Sequence, residues 1–494
     1  MKKNTFRLLS CALLLTAPAL NSCTKLDEAP ESTISPVNFY KTDADFQAAI
    51  NGALKPWFSA YGAFDFNNAL LLSGGAEDVT SRPTAPTLKA YDEFKNDVNG
   101  LQAAQEWTLL YKSINACNLI IANVDKATAL NPANQGAYEG QARYIRALAY
   151  FHLTRWFGEI PIVTVENQAT ATEIGQATVA QVYQLITDDL KAAEKLLPPT
   201  FPEKGRPTQG AAKSLLAEVY LNMAGWPLKD ATKYALARDK AKEVMDAGQY
   251  HLVSNFADLW KVSNKLTNPE FIFSFNVVST ATWMEGSHLH VASRPGEEGG
   301  WDDMMSEARF FNAFPDGPRK DATFHTVFTD AAHTTWQKSN IGQPYMAKYR
   351  DAGAAATADG PVASNDGDGF FVMSRYAEVL LTYAEAANMA EGSPSPAALD
   401  AINQVRRRAS GNNRVLYPDL TAGLSQQAFD AAVIAERAWE LAFENKRWFD
   451  LVRKEKVVEV NKALYPSVSA KNMLLPKPQK EVDMIKGLKQ NAGY

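Results

Sequence analysis

Residues 178–199 read Thr178-Val179-Ala180-Gln181-Val182-Tyr183-Gln184-Leu185-Ile186-Thr187-Asp188-Asp189-Leu190-Lys191-Ala192-Ala193-Glu194-Lys195-Leu196-Leu197-Pro198-Pro199. Thr178 followed three residues later by Gln181 is a capping box, in which each side chain satisfies the other's backbone N–H at a helix start. Val182, Leu185, Ile186, Ala193 and Leu196 form one apolar stripe at helical spacing, and Pro198-Pro199 ends it. The same grammar recurs on both sides. In 137–157, Ala142, Ile145, Ala149 and Leu153 lie three and four apart, and Gly158 and Pro161 stop the run. The pattern predicts further helices over 208–224, from Thr208 to Gly225, and over 230–247, from Asp230 to Gly248. Short amphipathic helices on short loops, rich in alanine, stack as antiparallel pairs in a tetratricopeptide-like way. A second helical block is expected at 373–391, 395–410 and 425–454.

Between the blocks the pattern changes. Residues 255–350 are rich in aromatics, Gly and Pro, with no sustained helical period. Phe271-Ile272-Phe273-Ser274-Phe275-Asn276-Val277 reads as a strand, and 351–369 as a loop. The fold class is therefore mainly α: a helical-hairpin scaffold over about 100–250 and 370–455, carrying a loop-rich, aromatic-rich section over about 255–370 with few short strands. Binding sites are disproportionately built in such loops.

The N-terminus has a different logic. Lys2, Lys3 and Arg7 precede an apolar stretch from Leu8 to Leu20, too short to span a bilayer. Leu20-Asn21-Ser22-Cys23 follows. An apolar residue, two small or polar ones and a cysteine form a lipobox, where the thiol takes a diacylglyceryl group and the chain is cut before it. That reading makes 1–22 a lipoprotein signal peptide, Cys23 the lipidated residue and 23–35 a polar tether to a single domain over 36–494. The alternative is an ordinary secretory cut near Ala17 to Ala19. Several acyl chains anchor stably, at roughly 0.8 kcal/mol per buried methylene. Loss of Lys2, Lys3 and Arg7 takes the net charge from −5 to −8. An acidic body without blocks of like charge argues against nucleic-acid partners. Only Cys117 remains in the body, as a buried small hydrophobe.

The C-terminal third carries several ordered motifs. Ser374-Arg375-Tyr376-Ala377-Glu378-Val379-Leu380-Leu381-Thr382-Tyr383-Ala384-Glu385-Ala386 resembles a signature of the SusD/RagB family of outer-membrane nutrient-binding lipoproteins. Ala401 to Ala409, Glu436 to Leu451, the tail from Leu474 to Tyr494, Arg143 to Phe151 and the opening after Cys23 fit the same family. Lys477 departs from it, standing in Pro476-Lys477-Pro478 where Pro-Ile-Pro is the pattern. The resemblance implies capture of an oligosaccharide, or in some members a peptide, and delivery to a SusC-like TonB-dependent transporter, at the cell surface and without bond cleavage. The alternating charges Arg375, Glu378, Glu385, Glu436, Arg437, Glu440, Glu444 and Arg447 have a structural reading of their own, as ion pairs between packed helices.

A glycan site needs aromatic faces for the C–H side of a sugar and polar groups for its hydroxyls. Of 10 Trp, 18 Tyr and 24 Phe, most must be core. Trp107, Trp156, Trp439 and Trp448 lie on apolar helix faces and read as packing. Trp283 and Trp301 bracket a polar, glycine-rich stretch that runs into Asp302-Asp303, and are the leading candidates, with Asp302. Tyr91 with Arg82, and Trp336 beside Gln337 and Lys338, are further candidates. His288-Leu289-His290 offers two imidazoles, too few for zinc, and reads as a surface loop. Residues 364–369 resemble a calcium loop, but Arg375 falls where a bidentate Glu is required. No metal and no cofactor is expected. Neither a phosphate-binding loop with its lysine nor a Gly-x-Ser-x-Gly elbow is present. Glu297-Glu298 and Asp302-Asp303 leave a surface glycoside hydrolase as a lesser alternative, and a scaffold that binds a protein or peptide as another.

Overall fold

The computed structural model describes residues 39–61, 73–202, 205–279, 286–357, 359–360 and 362–494. Cys23, the tether and Trp283 lie outside the described residues. Residues 40–494 form one compact unit.

Helices α1 (Asp43–Tyr61), α2 (Leu101–Asn123), α3 (Pro132–Phe157), α4 (Val179–Leu196), α5 (Gln209–Ala224) and α6 (Lys233–Asp246) each pack on the next in sequence. The capping box forms as the sequence implies: Gln181 N donates to Thr178 Oγ1 at 3.3 Å, and Thr178 N to Gln181 Oε1 at 2.9 Å. Val182, Ile186 and Ala193 of the stripe are fully buried. Thr208 caps α5 through Ala211 N. Helix α6 starts at Lys233, later than Asp230, because the Asp230 carboxylate takes Thr232 N in a turn of its own. Cys117 is buried in α2, and burial pushes its thiol up to about 12, which makes it unreactive.

The next helix to pack on α6 is α7 (Tyr376–Glu391), more than a hundred residues further along the chain. Strands β1 (Phe271–Val277) and β2 (Gly369–Arg375) bridge the gap as an antiparallel pair, with Phe275 opposite Phe371 and Val277 opposite Gly369. All seven residues of β2 are buried. A strand covered on both faces reads as an unbroken apolar run, as Phe370 to Met373 do, and the pairing of Ser374 with Phe273 and Arg375 with Phe271 carries it to Arg375, so Met373 to Arg375 belong to a strand and not to the helix expected from residue 373. Residues 278–368 are thus an excursion from the helical scaffold, and its two ends emerge side by side.

Helices α8 (Pro396–Ala409), α9 (Gln426–Glu440) and α10 (Arg447–Arg453) complete the scaffold. The single helix expected over 425–454 is two. Between them Phe443 (φ 65°) and Asn445 (φ 57°) take left-handed conformations, which end an α-helix. Asp78 stabilises the break by accepting Phe443 N at 3.0 Å. Trp107, Trp156 and Trp448 are buried, and Trp439 is half-buried against Tyr417.

A buried ionic network joins scaffold and excursion. Arg375, 1 % exposed, donates Nε to Glu444 at 2.7 Å and Nη1 to Glu270 at 2.8 Å and Glu440 at 2.6 Å. Arg408 of α8 pairs with Glu270 and Glu440. Arg319 and Lys348 reach in from the excursion to Glu440 at 2.9 Å and Glu444 at 2.7 Å. Burial alone would raise the Glu440 carboxyl, but Arg408, Arg375 and Arg319 outweigh it and hold it well below the usual carboxylate range.

Removing one partner of such a network strands buried charge, at about 3–5 kcal/mol. Glu440→Ala is therefore expected to lose about that much in denaturant titration at pH 7, and a loss of under ~1 kcal/mol would show that the arginines find other partners. Because the folded pKa of Glu440 is depressed, its contribution is present above the ordinary value of 4.5 and is lost as pH falls through the folded value.

Candidate functional site

The excursion folds back on itself at residues 286–305. A short helix, Leu289–Ala292, leads into a turn whose return segment lies against it: Trp301 N donates to Val291 O at 2.9 Å and Asp303 N to Ala292 O at 3.0 Å. The reversal depends on glycine. Gly299 has φ 81°, and a Cβ on Gly300 would lie 2.2 Å from Arg294 O. Asp302 itself takes φ 59°, held there because its Oδ1 accepts Gly296 N at 2.8 Å and the Tyr345 hydroxyl at 2.5 Å.

This turn presents Trp301. Its indole is half-buried and stacks on the His288 ring, with centroids 5.6 Å apart and planes 19° apart. His288 is buried, and its Nε2 lies 3.0 Å from Asp366 Oδ1. Burial lowers the His288 pKa despite Asp366, so a neutral imidazole backs the indole at neutral pH. Arg82 closes one side: Nη1 donates to Trp301 O at 3.0 Å and Nη2 pairs with Asp303 Oδ1 at 3.2 Å. Thr80 and Met305 exchange backbone hydrogen bonds at 2.7 and 2.9 Å, which brings Arg82 alongside the turn. The Arg82 side chain remains 39 % exposed.

The underside is rigid. Arg294, fully buried, donates to the carbonyls of Arg350, Thr357 and Gly360 at 2.6–2.7 Å. Glu298 accepts from Arg350 at 2.6 Å, from Thr329 N at 2.6 Å, and lies 2.7 Å from His325 Nε2. Burial opposes its charge, but His325, Arg350 and Thr329 outweigh that and hold its carboxyl well below the usual range.

Of the residues singled out from sequence, the structure brings Arg82, Trp301 and Asp302 together. Trp336 sits nearby in packing terms: with Ile341 it covers a cluster of Met305, Phe328 and Tyr345, and Tyr345 reaches Asp302. Tyr91 does not join them. It is 4 % exposed, with its hydroxyl accepting Ala103 N at 3.2 Å, so its ring is spent on packing. His288 and His290 are buried rather than in a surface loop, His290 lying 3.0 Å from Ser364 O. Among the described residues no cluster of His, Cys, Asp or Glu could hold a metal ion. Asp303 and His288 complete the platform. Asp303 was legible beside Asp302, whereas His288 had no sequence signal connecting it to Trp301.

Two family models match the chain: the SusD family over residues 327–494, and "Starch-binding associating with outer membrane" over residues 26–221. The chain belongs to the SusD/RagB family. A SusD-like protein P2 of Formosa agariphila is 28% identical over 479 residues, covering 92% of this chain and 91% of that protein. The SusD-family fold is matched by a SusD superfamily protein from Parabacteroides distasonis at 25% identity, with a TM-score of 0.77 over 91% of this chain and 99% of that one. Surface glycan-binding protein A from Bacteroides thetaiotaomicron, solved in complex with laminarihexaose, is 23% identical with a TM-score of 0.76, over 91% and 100% of the two chains. Tetratricopeptide-like helical scaffolding is thus common to this SusD-family chain and its structural relatives.

Burial pushes the Asp303 carboxyl up to about 6, against the pull of Arg82 and with the help of Asp302. Its NMR titration is expected to have a midpoint near 6. A raised carboxyl favours the folded state most below its ordinary value of 3.8, and that contribution fades as pH rises through about 6. A midpoint at the ordinary value would mean that the Arg82–Asp303 pair is solvated.

Proposed function

We propose that this protein is a lipid-anchored surface glycan-binding protein, which captures an oligosaccharide and passes it uncleaved to a SusC-type TonB-dependent transporter. The observation that carries the reading is the preorganised indole of Trp301, backed by His288 and flanked by Arg82 and Asp303. The C–H face of a sugar ring packs on an indole, and its hydroxyls bond to a guanidinium and a carboxylate. A platform held in place before binding loses little entropy when the ligand arrives. Family membership supports the assignment, as does the family description that links these proteins to starch and to the outer membrane. The laminarihexaose complex of a similarly folded protein supports an oligosaccharide as ligand. Among the described residues no helix is long and apolar enough to cross a membrane, and in this reading the acyl chains on Cys23 hold the protein at the surface. The transporter follows from the family resemblance, and Trp283 is a further ligand-contact candidate from its polar sequence context.

Calorimetric titration of residues 24–494 against a glycan panel and a peptide mixture, with product analysis, tests the proposal. Saturable binding to one glycan class without cleavage is expected. Trp301→Ala should weaken it about tenfold, equivalent to ~1.4 kcal/mol and in the range of one aromatic contact. Cleavage products would instead establish a hydrolase, and a response to peptides alone would remove the argument from the indole platform. Separately, Cys23→Ala should move the protein out of the membrane fraction; unchanged membrane association would sink the anchor.

A further inference from the structure

A cavity of about 260 Å³ lies between the C-terminal ends of α3 and α5, the start of α4, helix α10 and the C-terminal segment 474–492. Neither Arg82 nor Trp301 lines it. Two arginines in its wall are already matched. Arg155 donates to Glu218 at 3.1 Å, with its guanidinium carbon 3.7 Å from the ring centroids of both Phe151 and Phe449. Arg453 pairs with Glu385 and Asp450.

Lys477 is the third cation, and it is not matched. It is 1 % exposed, and its ammonium donates to Gln176 Oε1 at 2.9 Å and Lys489 O at 2.7 Å, both uncharged acceptors. An ammonium has three donors. Among the described residues no carboxylate pairs with it. Glu159 lines the same cavity but makes no ion pair with Lys477, its Oε2 accepting Gln176 Nε2 at 2.5 Å. Burial accordingly pushes the Lys477 ammonium down to about 8, with Glu159 opposing. A buried charge of this kind is costly unless something pairs with it.

Neutral polar groups share the cavity. Asn222, 6 % exposed, spends its Nδ2 on Glu218 O at 2.9 Å, and its Oδ1 has no partner among the described residues. The Tyr183 hydroxyl, on a residue 3 % exposed, also has none. Half-buried Trp226 supplies a ring face. One unmatched cation, two open hydrogen-bonding groups and one indole define a ligand with one carboxylate, several hydroxyls and a C–H face. The volume lies just below the ~300 Å³ at which pockets for larger ligands begin, which suits a single sugar ring. We propose that this cavity binds a monosaccharide-sized hydroxycarboxylate, a sugar acid, with its carboxylate on Lys477, hydroxyls on Asn222 and Tyr183, and its ring on Trp226. It does not depend on the Trp301 platform.

The test is calorimetry on the full-length protein in detergent micelles, with sodium glucuronate and, separately, glucose. Glucuronate should bind at one site per chain, with glucose at least tenfold weaker. Lys477→Met should cost glucuronate at least tenfold. Trp226→Ala should do likewise, and since that ring is only half-buried, the variant keeps the test valid even where loss of Lys477 disturbs folding. Equal affinity for glucose and glucuronate, absence of saturable glucuronate binding, or binding unchanged in both variants would each overturn the proposal.

Discussion

Arg375 is the residue on which the rest of the molecule depends. Its guanidinium stands where the second strand of the ribbon ends and α7 begins, and it binds three glutamates from separate parts of the chain. Glu270 precedes β1, Glu440 ends α9 and Glu444 lies in the break that follows. None of these charges could be buried singly, because the desolvation of one ion exceeds what a solitary contact returns. Together they are satisfied, and the geometry that satisfies them also fixes where the excursion leaves the helices and where it returns.

The same principle operates on a smaller scale beneath the indole platform. Arg294, Arg350 and Glu298 wire three stretches of irregular backbone to each other without any regular secondary structure. Backbone carbonyls in a loop need donors once they are buried, and a buried arginine offers five. The loop-rich section is therefore irregular in its backbone and still rigid in its hydrogen bonding. That combination positions an aromatic face accurately, and it places Arg82 and Trp301, which are 219 residues apart in sequence, in direct contact.

Sequence made the scaffold legible because helix periodicity and capping are local. Thr178 with Gln181, Thr208, and the stops at Gly158 and Gly225 all mark observed ends. Misreadings occurred where tertiary burial overrode the local pattern. Residues 373–375, Met-Ser-Arg, fit either a helix or a buried strand end, and only the pairing of Ser374 and Arg375 with β1 decides. The α9–α10 region keeps helical spacing of Glu and Arg straight through a break that the left-handed Phe443 and Asn445 impose. For the candidate site, loop composition led to Trp301 and Arg82. It equally suggested Tyr91, because a polar neighbourhood in sequence says nothing of what packs over a ring in space. The partnership of His288 with Trp301 is a product of the turn itself.

The β1–β2 ribbon has a consequence for how such a protein diversifies. Because Val277 and Gly369 face each other, everything between them is an insertion whose ends meet. Lengthening or replacing it leaves the path of the helices unaltered, since loop closure costs little as length grows. Among the exceptions are Arg319 and Lys348, which reach back into the buried charges, and Arg309 and Tyr349, which donate to Val460 O and Phe443 O. Recognition and architecture are thus separable here. A lineage could trade one binding surface for another at a single locus, provided that the residues reaching back to the scaffold, Arg319 and Lys348 among them, stay in register with their partners.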